Sequence, residues 1–125
     1  MPVPILKQGK VLIASVQEAM TDQDLMGFQE QLAERVGYFR SAGIIIDVSA
    51  LDVMDSFSTR TLRNIAQTLK LRGALTVIVG IQPDVAFSMT QLGLTLEDVE
   101  TALDLEEGLE LISEAMAARD DDAAD

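Results

Sequence analysis

Two short runs, Ile44-Ile-Ile-Asp-Val48 and Leu75-Thr-Val-Ile-Val-Gly80, constrain this chain more than any other feature. Both are rich in β-branched residues and almost wholly apolar. A strand with one wet face alternates polar and apolar residues; a strand covered on both faces does not need to. The runs therefore read as central strands of a sheet with helices packed over it. Neither approaches the roughly 20 apolar residues needed to span a bilayer as a helix.

Between and around them the apolar period changes from runs to steps of three and four. Leu25, Phe28, Leu32, Val36 and Phe39 fall on one face of a predicted helix. Thr21-Asp22 supply its N-cap, and Gly43 is read as its end. Leu62, Ile65, Ala66 and Leu69 line a second helix that starts near Asp55 or Ser56 and stops at Arg72-Gly73. Pro83 opens a short third helix with Val85, Met89 and Leu92 inward and Gly93 at its close. Asp104 caps a last helix, with Leu105, Leu109, Ile112 and Met116 inward and Glu106, Glu107, Glu110 and Glu114 outward. Lys10 to Val16 reads as a further strand, preceded across a turn at Gly9 by a short edge strand at Ile5-Leu6, and a short strand is expected between Val99 and Leu103. This order predicts one α/β domain over residues 1–118, a sheet covered by helices, with an acidic, disordered tail at 119–125.

Charge and composition narrow the function. The chain has 125 residues and a net charge of −12, and from Glu97 onward twelve acidic residues face a single basic one, Arg119. That balance opposes binding to nucleic acid or to an anionic membrane surface. There is no Cys and no His, which removes disulfides, thiolate metal sites, the commonest metal ligand and the commonest general base. The N-terminal segment lacks the basic end and apolar run of a signal peptide, so a cytoplasmic location is the expectation.

The chemistry-bearing stretch runs from Asp47 to Arg60, where a buried strand gives way through a loop to a helix. Ligands of open α/β sheets meet this end of the strands. Ser56 has two readings there. As a helix N-cap its hydroxyl accepts a backbone N–H bond. As a phosphoacceptor it gains about −1.5 to −2 charges at a helix end whose free N–H groups tolerate them, while Asp55 is repelled. Ser58 and Thr59, one turn in, read as surface positions, and Phe57 as a core anchor. Asp47 and Asp55 as an acid/base or Mg²⁺ pair give an enzyme reading, but no Gly-rich phosphate cradle accompanies them. The simpler alternative is that Asp47 ends a strand and Asp55 caps a helix. Arg60, Arg63, Lys70 and Arg72 form either a solvated face or a surface for an acidic partner.

Pro4-Ile-Leu-Lys7, Ile46-Asp47, Met54-Asp-Ser-Phe57, Gly80-Ile-Gln-Pro83, Glu100-Thr-Ala-Leu-Asp-Leu-Glu106 and Gly108-Leu109 occur in this order along most of the chain. Together they resemble the STAS domain of anti-sigma factor antagonists, and within that family the RsbS-like stressosome scaffolds. The resemblance implies a mixed sheet of four to five strands covered by about four helices. It implies a non-catalytic module without metal or cofactor. Its implied partners are an RsbT-like serine kinase, RsbR-like STAS sensor proteins that co-assemble with it into a large hetero-oligomer, and an RsbX-like phosphatase. The family's phosphoacceptor is the Ser of Asp-Ser-Phe, here Ser56, with Ser58 the second choice. Asp55, Ser56, Ser58, Thr59 and Arg60 are then the partner-binding residues. A direct anti-sigma factor antagonist, binding an anti-sigma kinase, is the alternative within the family.

Overall fold

A computed structural model describes residues 3–17, 21–96 and 99–124, with the side chains of Phe39 and of 120–124 outside the description. The elements are β1 (Ile5–Gln8), β2 (Val11–Ser15), α1 (Asp22–Phe39), β3 (Gly43–Asp47), α2 (Ser56–Leu71), β4 (Leu75–Val79), α3 (Pro83–Gln91), β5 (Glu100–Ala102) and α4 (Leu105–Ala124). The sheet runs in the order β1-β2-β3-β4-β5. β1 pairs with β2 antiparallel, across a turn at Gly9 with φ 60, and every later pair is parallel. The carboxyl ends of β2, β3 and β4 therefore lie side by side at one end of the sheet.

The apolar runs do what their lack of alternation requires. Ile44, Ile45 and Ile46 are all fully buried, yet they point alternately to two different cores. Ile44, Ile46, Leu12, Ala14 and Ile78 meet Phe28, Leu32, Leu62, Ile65 and Leu69 of α1 and α2. Ile45, Val77 and Val79 meet Ile112 of α4 on the opposite face.

Helix ends follow their local chemistry. Thr21 and Asp24 form a reciprocal capping box, with Asp24 N–H donating to Thr21 Oγ1 at 3.1 Å and Thr21 N–H to Asp24 Oδ2 at 3.0 Å. The Glu107 N–H donates to Asp104 Oδ1 at 2.9 Å, the expected cap of α4. Three positions depart from the periodic reading. Gly43 does not end α1; Arg40 does, in the left-handed region at φ 49, and Gly43 opens β3. Leu92 follows the last residue of α3 and is 70% exposed, and Leu105, the first residue of α4, is 40% exposed. In both cases the residue sits at a helix end. The inward face of α4 instead includes Gly108, whose added Cβ would lie 2.9 Å from Val79 Cγ1. α4 continues in backbone to Ala124, through most of the segment expected to be a disordered tail, and the side chains of 120–124 lie outside the described residues. Phe39 also belongs to the part whose side chains are not described.

Candidate functional site

Asp47, Ser49, Asp52 and Gln82 make a connected frame at the carboxyl end of β3 and β4, and Asp55 follows it at the start of α2. Val48 N–H donates to Val79 O at 3.0 Å, holding the chain one residue beyond the β3 strand. Asp47 Oδ1 then accepts the Ser49 N–H at 2.9 Å and turns the chain. Val48 and Met54 are buried and pin the two ends of the loop to the core. Gln82 spans to it from the next strand-to-helix turn, its Nε2 donating to Ser49 O at 2.8 Å and to Asp52 Oδ1 at 3.2 Å. Gly80, at φ 80, lets the two turns come together: a Cβ there would sit 3.0 Å from Ser49 Cβ and 3.1 Å from Asp47 Oδ1. In the sequence, Gly80 to Pro83 simply joins a strand to a helix. Its cross-loop tie depends on a pairing 33 residues apart, which no local pattern reports.

Asp55, not Ser56, caps α2. It has extended backbone, and its Oδ1 accepts the Ser58 N–H at 2.8 Å. That backbone N–H, and secondarily the Ser58 side chain, hold the Asp55 carboxyl below its ordinary value. The N-cap reading of Ser56 is thus replaced: a carboxylate already fills that role, and Ser56 becomes the exposed first residue of the helix. Because the folded-state value is depressed, the carboxylate's contribution to stability is present above the unfolded aspartate pKa of about 3.9 and is lost as pH falls through the folded value. Asp55→Ala is expected to cost about 0.5–2 kcal/mol at pH 7. Urea midpoints of variant and parent should converge as the pH is lowered past the aspartate range; a constant gap at all pH values contradicts the cap.

The hydroxyls of this turn have three different environments. Ser56 lines a shallow depression of about 190 Å³ with Arg60, Arg63, Gly93, Leu94 and Thr95. Ser56, Arg60 and Arg63 are spaced i, i+4, i+7 and share a face. Ser58, two residues and about 200° further round the helix, is half-buried on the other flank. There it lines a separate depression of about 200 Å³ with Leu25, Leu51, Val53, Asp55 and Leu62. Thr59 is not a surface residue: it is 1% exposed, with its hydroxyl donating to Asp55 O at 2.9 Å, so although it borders the Ser56 depression it offers a partner almost no surface. Its position faces the core between the two flanks. Phe57 is half-buried. Asp47 and Asp55 each serve a backbone N–H, and among the described residues no cluster of metal-ligating side chains occurs. Among those residues, too, no helix is long and apolar enough to cross a membrane.

A family model for the STAS domain matches residues 3–108. The chain is 36% identical to a serine-to-glutamate variant of RsbS from Moorella thermoacetica, with a TM-score of 0.79, covering 92% of this chain and 97% of that one. It is 37% identical, with a TM-score of 0.77, to a chain of the stressosome structure described as a signal integration and transduction hub, covering 90% and 98% respectively. Among curated proteins it is 28% identical over 81 residues to the RsbT co-antagonist protein RsbRA of Bacillus subtilis (strain 168), a match that spans 65% of this chain and 30% of that protein.

Proposed function

The chain belongs to the STAS domain family, and from that premise we propose that it is a non-catalytic stressosome scaffold that holds an RsbT-like serine kinase until that kinase phosphorylates Ser56. Kinship with RsbS and a stressosome chain over nearly the whole length supports a scaffold role. Likeness to RsbRA supports RsbR-like STAS proteins as co-assembling partners. An RsbX-like phosphatase would reset the switch.

The observation that carries the choice of residue is the setting of Ser56. It is exposed at the first turn of α2, where helix N–H groups lack intrahelical acceptors, and it shares its face with Arg60 and Arg63. A phosphate there meets positive charge on one side. On Ser58 it would enter a half-buried, largely apolar depression beside the Asp55 carboxylate. Phosphorylation of Ser56 places about two negative charges on a surface formed by Asp55, Ser56 and Arg60, and occupies the arginines. A kinase surface matched to the unmodified face is then repelled, while the fold beneath is untouched. Ser56→Asp should weaken kinase capture in the same direction, and less strongly.

The test is incubation of the full chain with an RsbT-like kinase and ATP, followed by site-resolved phosphopeptide mass spectrometry. Phosphate on the Ser56 peptide is the expected result. Phosphate on Ser58 alone moves the site to the other flank and overturns the electrostatic argument. Size-exclusion with an RsbR-like STAS protein should give a megadalton-scale complex; a small heteromer favours direct antagonism of an anti-sigma kinase instead.

A further inference from the structure

A second cationic site lies at the opposite end of the sheet from Ser56, and no part of the switch uses it. The last turns of α1 and α2, the start of β2 and the outer part of α4 enclose a depression of about 590 Å³. Lys10, Arg40, Arg72 and Arg119 line it, and no described lining residue is a carboxylate. This gathers four of the nine cations of a chain whose net charge is −12.

One of the four is tied to the backbone and a second lies against it. Arg119 Nη1 donates to Gly73 O at 2.8 Å. The Arg72 guanidinium lies so close over Gly37 that a Cβ on residue 37 would collide with it. Helix C-termini alone do not account for such a cluster. The ends of α1 and α2 each contribute roughly −0.5 charge, so four cations leave the site at roughly +3. Beneath them Ser41 is 6% exposed, and its Oγ has no hydrogen-bond partner. Buried hydroxyls are ordinarily paired. Ser41 is itself one of the residues that line the depression.

We propose that this is a binding site for a multivalent phosphate-class anion, held by Lys10, Arg40, Arg72 and Arg119 with Ser41 Oγ–H as a further donor. The volume is in the range of small-molecule sites, and Val36 and Met116 give it an apolar wall. Four cations favour a multivalent anion such as a pyrophosphate group over a monovalent one, because the attraction grows with the product of the charges. A ligand here would act on the domain from the end remote from the kinase-facing surface, and the inference stands independently of the function proposed above.

The test uses the full-length, ¹⁵N-labelled protein titrated with inorganic pyrophosphate and, separately, with ADP, each against sodium sulfate at matched ionic strength. Backbone shifts are expected at Lys10, Ser41, Ala42 and Gly73. Tighter binding of ADP assigns the apolar wall to an organic body; equal binding assigns the site to the phosphates alone. Ser41→Ala should weaken binding about 2- to 10-fold, the worth of one hydrogen bond, without lowering the unfolding midpoint, because the hydroxyl it removes has no partner. Lys10→Gln with Arg40→Gln should weaken it further and flatten its salt dependence. Shifts centred on Arg60 and Arg63, shifts reproduced by sulfate, or unchanged affinity in both variants would overturn the assignment.

Discussion

Replacing Ser56 by alanine is expected to abolish phosphate incorporation by an RsbT-like kinase while leaving the unfolding free energy within about 0.5 kcal/mol of the parent. The fold should survive because Ser56 holds nothing together. The cap of α2 is Asp55, whose Oδ1 takes the Ser58 N–H, and the buried hydroxyl of the turn belongs to Thr59. Surface substitutions away from caps and cores usually fall within about 0.5 kcal/mol. Loss of phosphate with retained stability separates the modification from folding. Thr59→Ala provides the contrast: it deletes a buried group that donates to Asp55 O, so it should destabilise by about 1 kcal/mol yet leave Ser56 a substrate. Ordinary phosphate incorporation into Ser56→Ala would sink the assignment.

The second large effect lies where α4 crosses the sheet. Gly43→Ala would place a Cβ 2.7–2.9 Å from three carbons of Ile112, a residue that is only 1% exposed and has no room to withdraw. Overpacking of this kind costs about 1–3 kcal/mol. Ile112→Ala should cost about 2–5 kcal/mol through lost burial and the cavity left behind. Either is a large share of the roughly 5–15 kcal/mol that holds a domain folded. Combined, the two should cost clearly less than their sum, because the smaller side chain at 112 makes room for the new methyl. Denaturant unfolding of the two single variants and the double variant measures this coupling. Strict additivity, or a neutral Gly43→Ala, would mean that α4 does not sit this close to β3.

Much of the fold could be read from the chain alone. The almost wholly apolar runs at 44–48 and 75–79 required strands with both faces covered, and the structure buries Ile44, Ile45 and Ile46 completely, in two cores. Three- and four-residue spacing placed Leu25, Phe28, Leu32 and Val36 inward, and Thr21 and Asp104 were legible as caps because capping is chemistry among residues three apart. The family resemblance rested on the same local segments, and the STAS model matches residues 3–108.

What remained hidden depended on contacts distant in sequence. A helix fixes the angle between Ser56 and Ser58, but only the positions of Leu51 and Val53 on one side and Gly93 to Thr95 on the other decide which hydroxyl meets arginine and which meets an apolar wall. Thr59 has the composition of a surface residue, and its burial follows from the way α2 rolls onto the sheet. The tasks of Gly43, Gly108 and Gln82 are set by Ile112, Val79 and Ser49, far away along the chain. Lys10, Arg40, Arg72 and Arg119 show no pattern as a sequence and share one depression only because a parallel sheet brings the ends of successive helices to the same edge. Local interactions choose the elements through backbone dihedrals and side-chain period. The side chains that share a site are chosen by close packing, which acts across space and leaves no period in the sequence.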